Sequence, residues 1–115
     1  GTGPITMTGQ YAAKAWVNFD GTGTVAIRDG GNVSSITDNA SGDYTVNFSA
    51  AMADANYATV GSTGTNGNGY APATLNINRV RSSGNHVDPT TSAVRITVDP
   101  ASNGDSKYVS VTITR

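Results

Sequence analysis

Residues 44–48 read Tyr44-Thr45-Val46-Asn47-Phe48, apolar and polar in strict alternation. A period of two marks a strand with one face buried and the other in water. The same period runs through Val17 and Phe19, through Val94, Ile96 and Val98, and through Val109, Val111 and Ile113. It predicts eight strands, at residues 14–20, 24–29, 33–38, 44–49, 56–61, 74–81, 92–99 and 107–114. Val25 and Ile27 share the inward phase of the second, and Leu75 and Ile77 that of the sixth. The third breaks the rule, because Val33 and Ile36 are out of phase. A bulge near Ser34-Ser35 would bring both to one side. Residues 50–55 are too short for a stable helix and read as a loop or one helical turn.

The segments between these runs carry turn chemistry. Asp29-Gly30-Gly31-Asn32 predicts a tight turn, with glycine supplying positive φ, and residues 38–43 predict another. Residues 62–73 and 82–91 are longer loops rich in Gly, Asn and Ser, the kind of segment that tolerates variation and carries binding. Residues 1–12 have no period. They read as a lead-in arm or linker, with Ile5 and Met7 set to pack on a neighbour, ahead of a β-sandwich domain over 13–115. Consecutive alternating strands joined by short turns imply antiparallel pairing with one face buried. Two such sheets packed face to face give an all-β antiparallel sandwich of about eight short strands.

A length of 115 residues fits one domain. Composition then narrows the function classes. Charged residues make up 13% of the chain, the net charge is −1, every acid is Asp, and there is no Cys. Without a basic run the chain lacks the footprint of a nucleic-acid binder and of a polybasic membrane anchor. No apolar stretch reaches the length of a membrane span, so membrane insertion is not expected. Disulfides and thiolate metal sites are excluded outright.

The residues that carry chemistry are sparse. His86 is the one His, with Asp88 two positions on and Ser82 and Ser83 nearby, but nothing in that spacing builds a triad. Seven of the eight aspartates fall at strand ends or in turns: Asp20, Asp29, Asp38, Asp43, Asp54, Asp99 and Asp105. There a carboxylate bonds its own backbone, so carboxylate pairs for glycoside hydrolysis are not needed to explain them. Asp38, Asn39, Ser41 and Asp43 offer oxygens but lack the full alternating pattern of a calcium loop. The expectation is therefore no enzyme, no cofactor and no metal. Arg28 and Arg95 sit out of phase with the core, on solvated or cross-strand paired faces. Arg79 and Arg81 share the phase of Ile77 unless the strand bulges before Val80.

One residue resists this simple reading. Trp16, the sole Trp, falls beside Asn18 on the face opposite Val17 and Phe19. An outward Trp is covered by the lead-in arm, packed on another subunit, or used to stack on the apolar face of a sugar.

Four blocks in order bear on that choice. They are Ala15-Trp16-Val17-Asn18-Phe19-Asp20-Gly21, Asn32-Val33-Ser34-Ser35-Ile36-Thr37-Asp38, Gly42-Asp43-Tyr44-Thr45-Val46-Asn47-Phe48 and Asp54-Ala55-Asn56-Tyr57. The run 13–58 that contains them resembles the domain near the C-terminal end of phage tail-fibre and related virion receptor-binding proteins, of the marine and proteobacterial phage type. From Gly61 onward the likeness is one of general style. The resemblance implies a homotrimeric fibre tip in the virion, outside the host cell, attaching to a host-surface glycan or protein. It makes Trp16, Asn18, Arg28 and Arg95 candidates for the subunit interface, and it favours a Trp16 covered by the arm or a neighbour. The loop residues Asn66, Asn68, Tyr70, Asn85, His86 and Asp88 become candidates for ligand contact. Two alternatives stay open: a structural trimerisation domain of a virion protein, and a monomeric carbohydrate-binding or adhesin module with Trp16 or Tyr70 as its sugar platform.

Overall fold

The computed structural model describes residues 13–64, 74–99 and 106–114. Eight strands form: β1 (Ala13–Asp20), β2 (Ala26–Gly31), β3 (Val33–Ala40), β4 (Asp43–Phe48), β5 (Ala58–Thr63), β6 (Thr74–Ile77), β7 (Ala93–Asp99) and β8 (Val109–Thr114). Among the described residues there is no helix. The strands make two four-stranded sheets, β2-β1-β8-β5 and β3-β4-β7-β6, and every pairing is antiparallel.

The inner faces of both sheets share one core, the arrangement of a β-sandwich. Its strand residues come from the central pairs. Ala15, Val17 and Phe19 of β1 and Val109, Val111 and Ile113 of β8 meet Tyr44, Val46 and Phe48 of β4 and Val94, Ile96 and Val98 of β7. Met52 and Tyr57 close the cluster from the β4–β5 connection. Phe19 meets Tyr44 edge to face at 5.2 Å, and Phe48 meets Tyr57 likewise at 5.6 Å, the geometry that ring quadrupoles favour. Of the edge strands, β3 and β6 add partly buried residues, Val33, Ile36 and Leu75.

Polar pins fix the frame. The Tyr44 hydroxyl donates to the Gly21 carbonyl at 2.9 Å, and the Gly21 N–H donates to Ser106. A Cβ on Gly21 would lie 2.5 Å from that hydroxyl, so the corner requires glycine. The Tyr57 hydroxyl donates to the Thr90 and Ala93 carbonyls, and burial pushes its pKa up.

Several expectations are corrected. Asp29-Gly30-Gly31-Asn32 is not a hairpin turn. Asp29, Gly30 and Gly31 continue β2, which pairs with β1, and the chain crosses to the other sheet at Asn32. Asn32, not a glycine, takes the positive φ of 55°. Its amide donates to the Lys14 and Ala50 carbonyls and its side-chain oxygen accepts from Ala50 N–H, so one residue ties the crossing together. The turn placed at 38–43 shortens to Ser41-Gly42, with Gly42 at φ 68°. β5 starts at Ala58 rather than residue 56, because Tyr57 turns inward to its two carbonyls. β6 ends at Ile77, since Asn78 at φ 61° breaks the extended backbone. Ile27 and Ile77, assigned inward, lie on edge strands and remain exposed. The bulge expected in the third strand is present: Val33 opposes Phe48 while Ser35 opposes Asn47.

Candidate functional site

The outer face of the β2-β1-β8-β5 sheet carries an open aromatic surface. Alternation along β1 sends Val17 and Phe19 inward and Trp16 and Asn18 outward. Trp16 opposes Gly31 on one side and Thr112 on the other, and Thr112 opposes Val60. The indole lies over Gly31. A Cβ built there would be 2.6 Å from Nε1 and 3.0 Å from Cδ1. Glycine leaves the ring room to rest on bare backbone, and Trp16 is still 42% exposed.

The next outward row runs Asp29, Asn18, Ser110 and Ser62 across the four strands. Beyond it β2 bulges: Asn18 opposes Asp29 but Phe19 opposes Ile27, which leaves Arg28 as the extra residue. A bulge re-aims the side chain it carries. Arg28 reaches across β1, donates to Asn18 Oδ1 at 3.3 Å, approaches Asp20 at 3.6 Å and caps the Tyr108 ring at 4.0 Å from its centroid. Tyr108 is 52% exposed. Hydrogen bonds from the Thr22 hydroxyl and backbone N–H hold the Asp20 carboxyl below its usual range, with Arg28 adding to them.

The opposite outer face, on β3-β4-β7-β6, is built differently. Asp43 is 2% exposed. Arg95 grips it with two bonds, Nε to Oδ1 at 2.7 Å and NH2 to Oδ2 at 2.9 Å. The Arg81 backbone N–H adds a third bond at 3.1 Å. Burial alone would push the Asp43 carboxyl up, but these donors outweigh it and hold it below its ordinary value. Asp99 accepts from Arg79 at 2.6 Å, Arg81 at 3.1 Å and Asn76 at 3.0 Å. Asp43 and Asp99 thus anchor the segment after β6, a role the strand-end reading did not assign them. That reading holds for Asp20, Asp29 and Asp54, each of which accepts a nearby backbone N–H. Asp105 lies outside the described residues.

The candidate residues therefore divide. Trp16, Asn18 and Arg28 share one outer face, while Arg95 belongs to the other sheet and is locked to Asp43. Asn85, His86 and Asp88 sit together on the exposed loop after β6, where His86 bridges Arg79 and its Nε2 pairs with Asp88 Oδ1. Asn66, Asn68 and Tyr70 lie outside the described residues. Tyr108 joins the face without having been singled out; its phase, one residue before the inward Val109, was the available signal. A third feature is a groove of about 520 Å³ between edge strands β5 and β6, lined by Val60, Gly61, Leu75, Ile77 and Arg79 among others. Among the described residues no group of three or more His, Cys, Asp or Glu is placed to hold a metal ion.

Compared with protein-family models, curated proteins and solved structures, the chain has no significant match.

Proposed function

We propose that the chain is a virion attachment module: a non-enzymatic, homotrimeric tail-fibre tip domain that contacts a glycan or protein on a bacterial surface and needs no cofactor. The observation that supports this reading is the exposure of two large aromatics, Trp16 and Tyr108, on one outer sheet face, a residue type enriched where proteins meet partners. The resemblance supports it in a second way. Its four blocks contain residues that pin the framework of this chain, among them Asn32, Gly42, Asp43, Tyr44 and Tyr57, so the likeness falls on structural positions. Trp16 is the large aromatic in those blocks that faces water.

Two measurements on the 115-residue chain test the reading. Sedimentation equilibrium gives the oligomeric state, and the fluorescently labelled domain is scored for adsorption to a panel of proteobacterial strains. A trimer that adsorbs supports the attachment module. A trimer that adsorbs to no strain points to a structural trimerisation domain. A monomer that adsorbs points to a carbohydrate-binding or adhesin module, a reading favoured by the 42% exposure of Trp16 in a single chain.

A further inference from the structure

We infer that the outer face of the β2-β1-β8-β5 sheet is itself a saccharide-binding track, running from Trp16 over Asn18 and Ser110 to Arg28 and Tyr108. The inference deepens the attachment reading and rests on it, but it moves the contact from the loops to the sheet.

The first argument is shape. The Trp16 indole lies on the Gly31 backbone with its far side open. A flat ring presented this way matches the C–H face of a pyranose. Tyr108 supplies a second ring, held by the Arg28 guanidinium. The register fixes their separation. Trp16 opposes Thr112 of β8, and Tyr108 lies four residues before Thr112, just ahead of the start of β8. Four residues at about 3.4 Å and one strand spacing of about 4.8 Å put the two rings' backbones roughly 14 Å apart. A short oligosaccharide spans that length.

The second argument is the chemistry of the floor between the rings. Asn18 uses its Oδ1 for Arg28, and among the described residues nothing accepts from its Nδ2. Ser110 lies beside it in the same row. These groups and the Arg28 guanidinium suit the hydroxyls of a sugar, which both donate and accept.

The third argument separates a sugar from a second copy of the chain. Two acids, Asp20 and Asp29, share this face; Asp29 is exposed and Asp20 keeps 27% of its side-chain surface in water. A subunit interface would have to desolvate both carboxylates, and Asp is depleted in interfaces. A hydrated saccharide leaves them wet and uses the aromatic rings alone for stacking.

The test uses the whole chain and an array of bacterial O-antigen and capsular oligosaccharides, followed by calorimetric titration of the bound oligosaccharides into wild type and each variant, since Trp16 is the sole Trp and its variants give no Trp signal. We expect wild-type binding, a loss of at least tenfold in Trp16→Ala, a smaller loss in Trp16→Phe and Asn18→Ala, and binding retained in His86→Ala. Bound sugar should shield Trp16 from acrylamide quenching. Circular dichroism and thermal melts check that each variant is folded, and Trp16→Phe keeps a ring on Gly31 if the Ala variant is not. No Trp16-dependent binding on the array overturns the inference. So does a Trp16 already shielded from acrylamide in the assembled domain, which would place it in an interface. If Trp16→Ala still adsorbs to cells that wild type recognises, the track is wrong and the attachment reading survives. If wild type binds neither cells nor sugars, both fail.

Discussion

The two outer faces of this sandwich carry the same residue types and use them in opposite ways. On β3-β4-β7-β6, Arg95 and Asp43 meet through two short bonds with the carboxylate almost out of water. On β2-β1-β8-β5, Arg28 stands 3.6 Å from Asp20, both still partly in water, and spreads over an exposed Tyr108. The difference lies in what covers each face. The segment after β6 folds back and delivers Arg79, the Arg81 N–H and the Arg81 side chain to Asp43 and Asp99. Covered charges must be fully paired, or they destabilise the fold. Uncovered charges are free to be weak, and weak pairs can be exchanged for a ligand. Pairing strength thus distinguishes the face that holds the fold from the face that is open to partners.

The sharpest way to break this contrast is to remove the buried carboxylate. Asp43→Ala strands the Arg95 guanidinium and the Arg81 N–H together. Removing one partner of a buried pair costs roughly 3 to 5 kcal/mol, and Arg95 keeps some water, so we expect about 3 kcal/mol in urea denaturation. A loss below about 1 kcal/mol, the range of surface pairs, would erase the distinction between the faces.

Acid probes the same site without mutation. The Asp43 carboxyl is held below its ordinary value of 3.8 in the folded chain. The unfolded chain therefore binds that proton more tightly, and Asp43's contribution is complete above about pH 5 and fades as pH falls through the folded value. The urea midpoint of wild type should drop between pH 5 and 3, and Asp43→Asn should drop less over the same range. Equal drops would mean that other groups carry the acid sensitivity.

Legibility in the sequence follows the same division. Alternation located all eight strands because the central ones, β1, β4, β7 and β8, bury every second residue. It failed at the edges, where burial no longer disciplines the phase, as Ile27 and Ile77 show. Period two cannot say which sheet a strand joins, so the crossing at Asn32 read as a hairpin. Asp43 read as a turn residue because it does follow a turn; only the register, which sets it opposite Thr97 and one row from Arg95, reveals the ion pair. Trp16 and Asn18 were legible as an outward pair by phase. Arg28 was grouped with them, though not for the bulge that places it there; that Arg28 covers Tyr108 was not legible, since it joins two strands far apart in the chain.

Gly31→Ala tests the open face with a smaller expected effect. The new methyl would occupy the space of the Trp16 ring edge. The indole is a movable side chain on an exposed face, so it swings off at a cost of about 1 kcal/mol, the low end for inserting a methyl against packed atoms. Trp16 emission should shift to the red and acrylamide quenching should rise. An unchanged spectrum would mean that the ring does not rest on Gly31.

Arg28→Ala should be the mildest in stability and the most telling in contrast to Asp43→Ala. It removes a surface ion pair and a cation over an exposed ring, both weak where water screens them. Because both interactions are exposed, salt should screen the ion-pair part, so the wild-type advantage over Arg28→Ala should shrink further in 1 M NaCl. The structural face behaves otherwise: the Asp43→Ala deficit should persist in salt, since its carboxylate is out of water. Measuring both variants at low and high salt therefore separates the faces by a sign that fold disruption alone cannot mimic. An Arg28→Ala deficit as large and as salt-resistant as that of Asp43→Ala would make Arg28 a second anchor. It would also remove the basis for reading its face as open to a ligand.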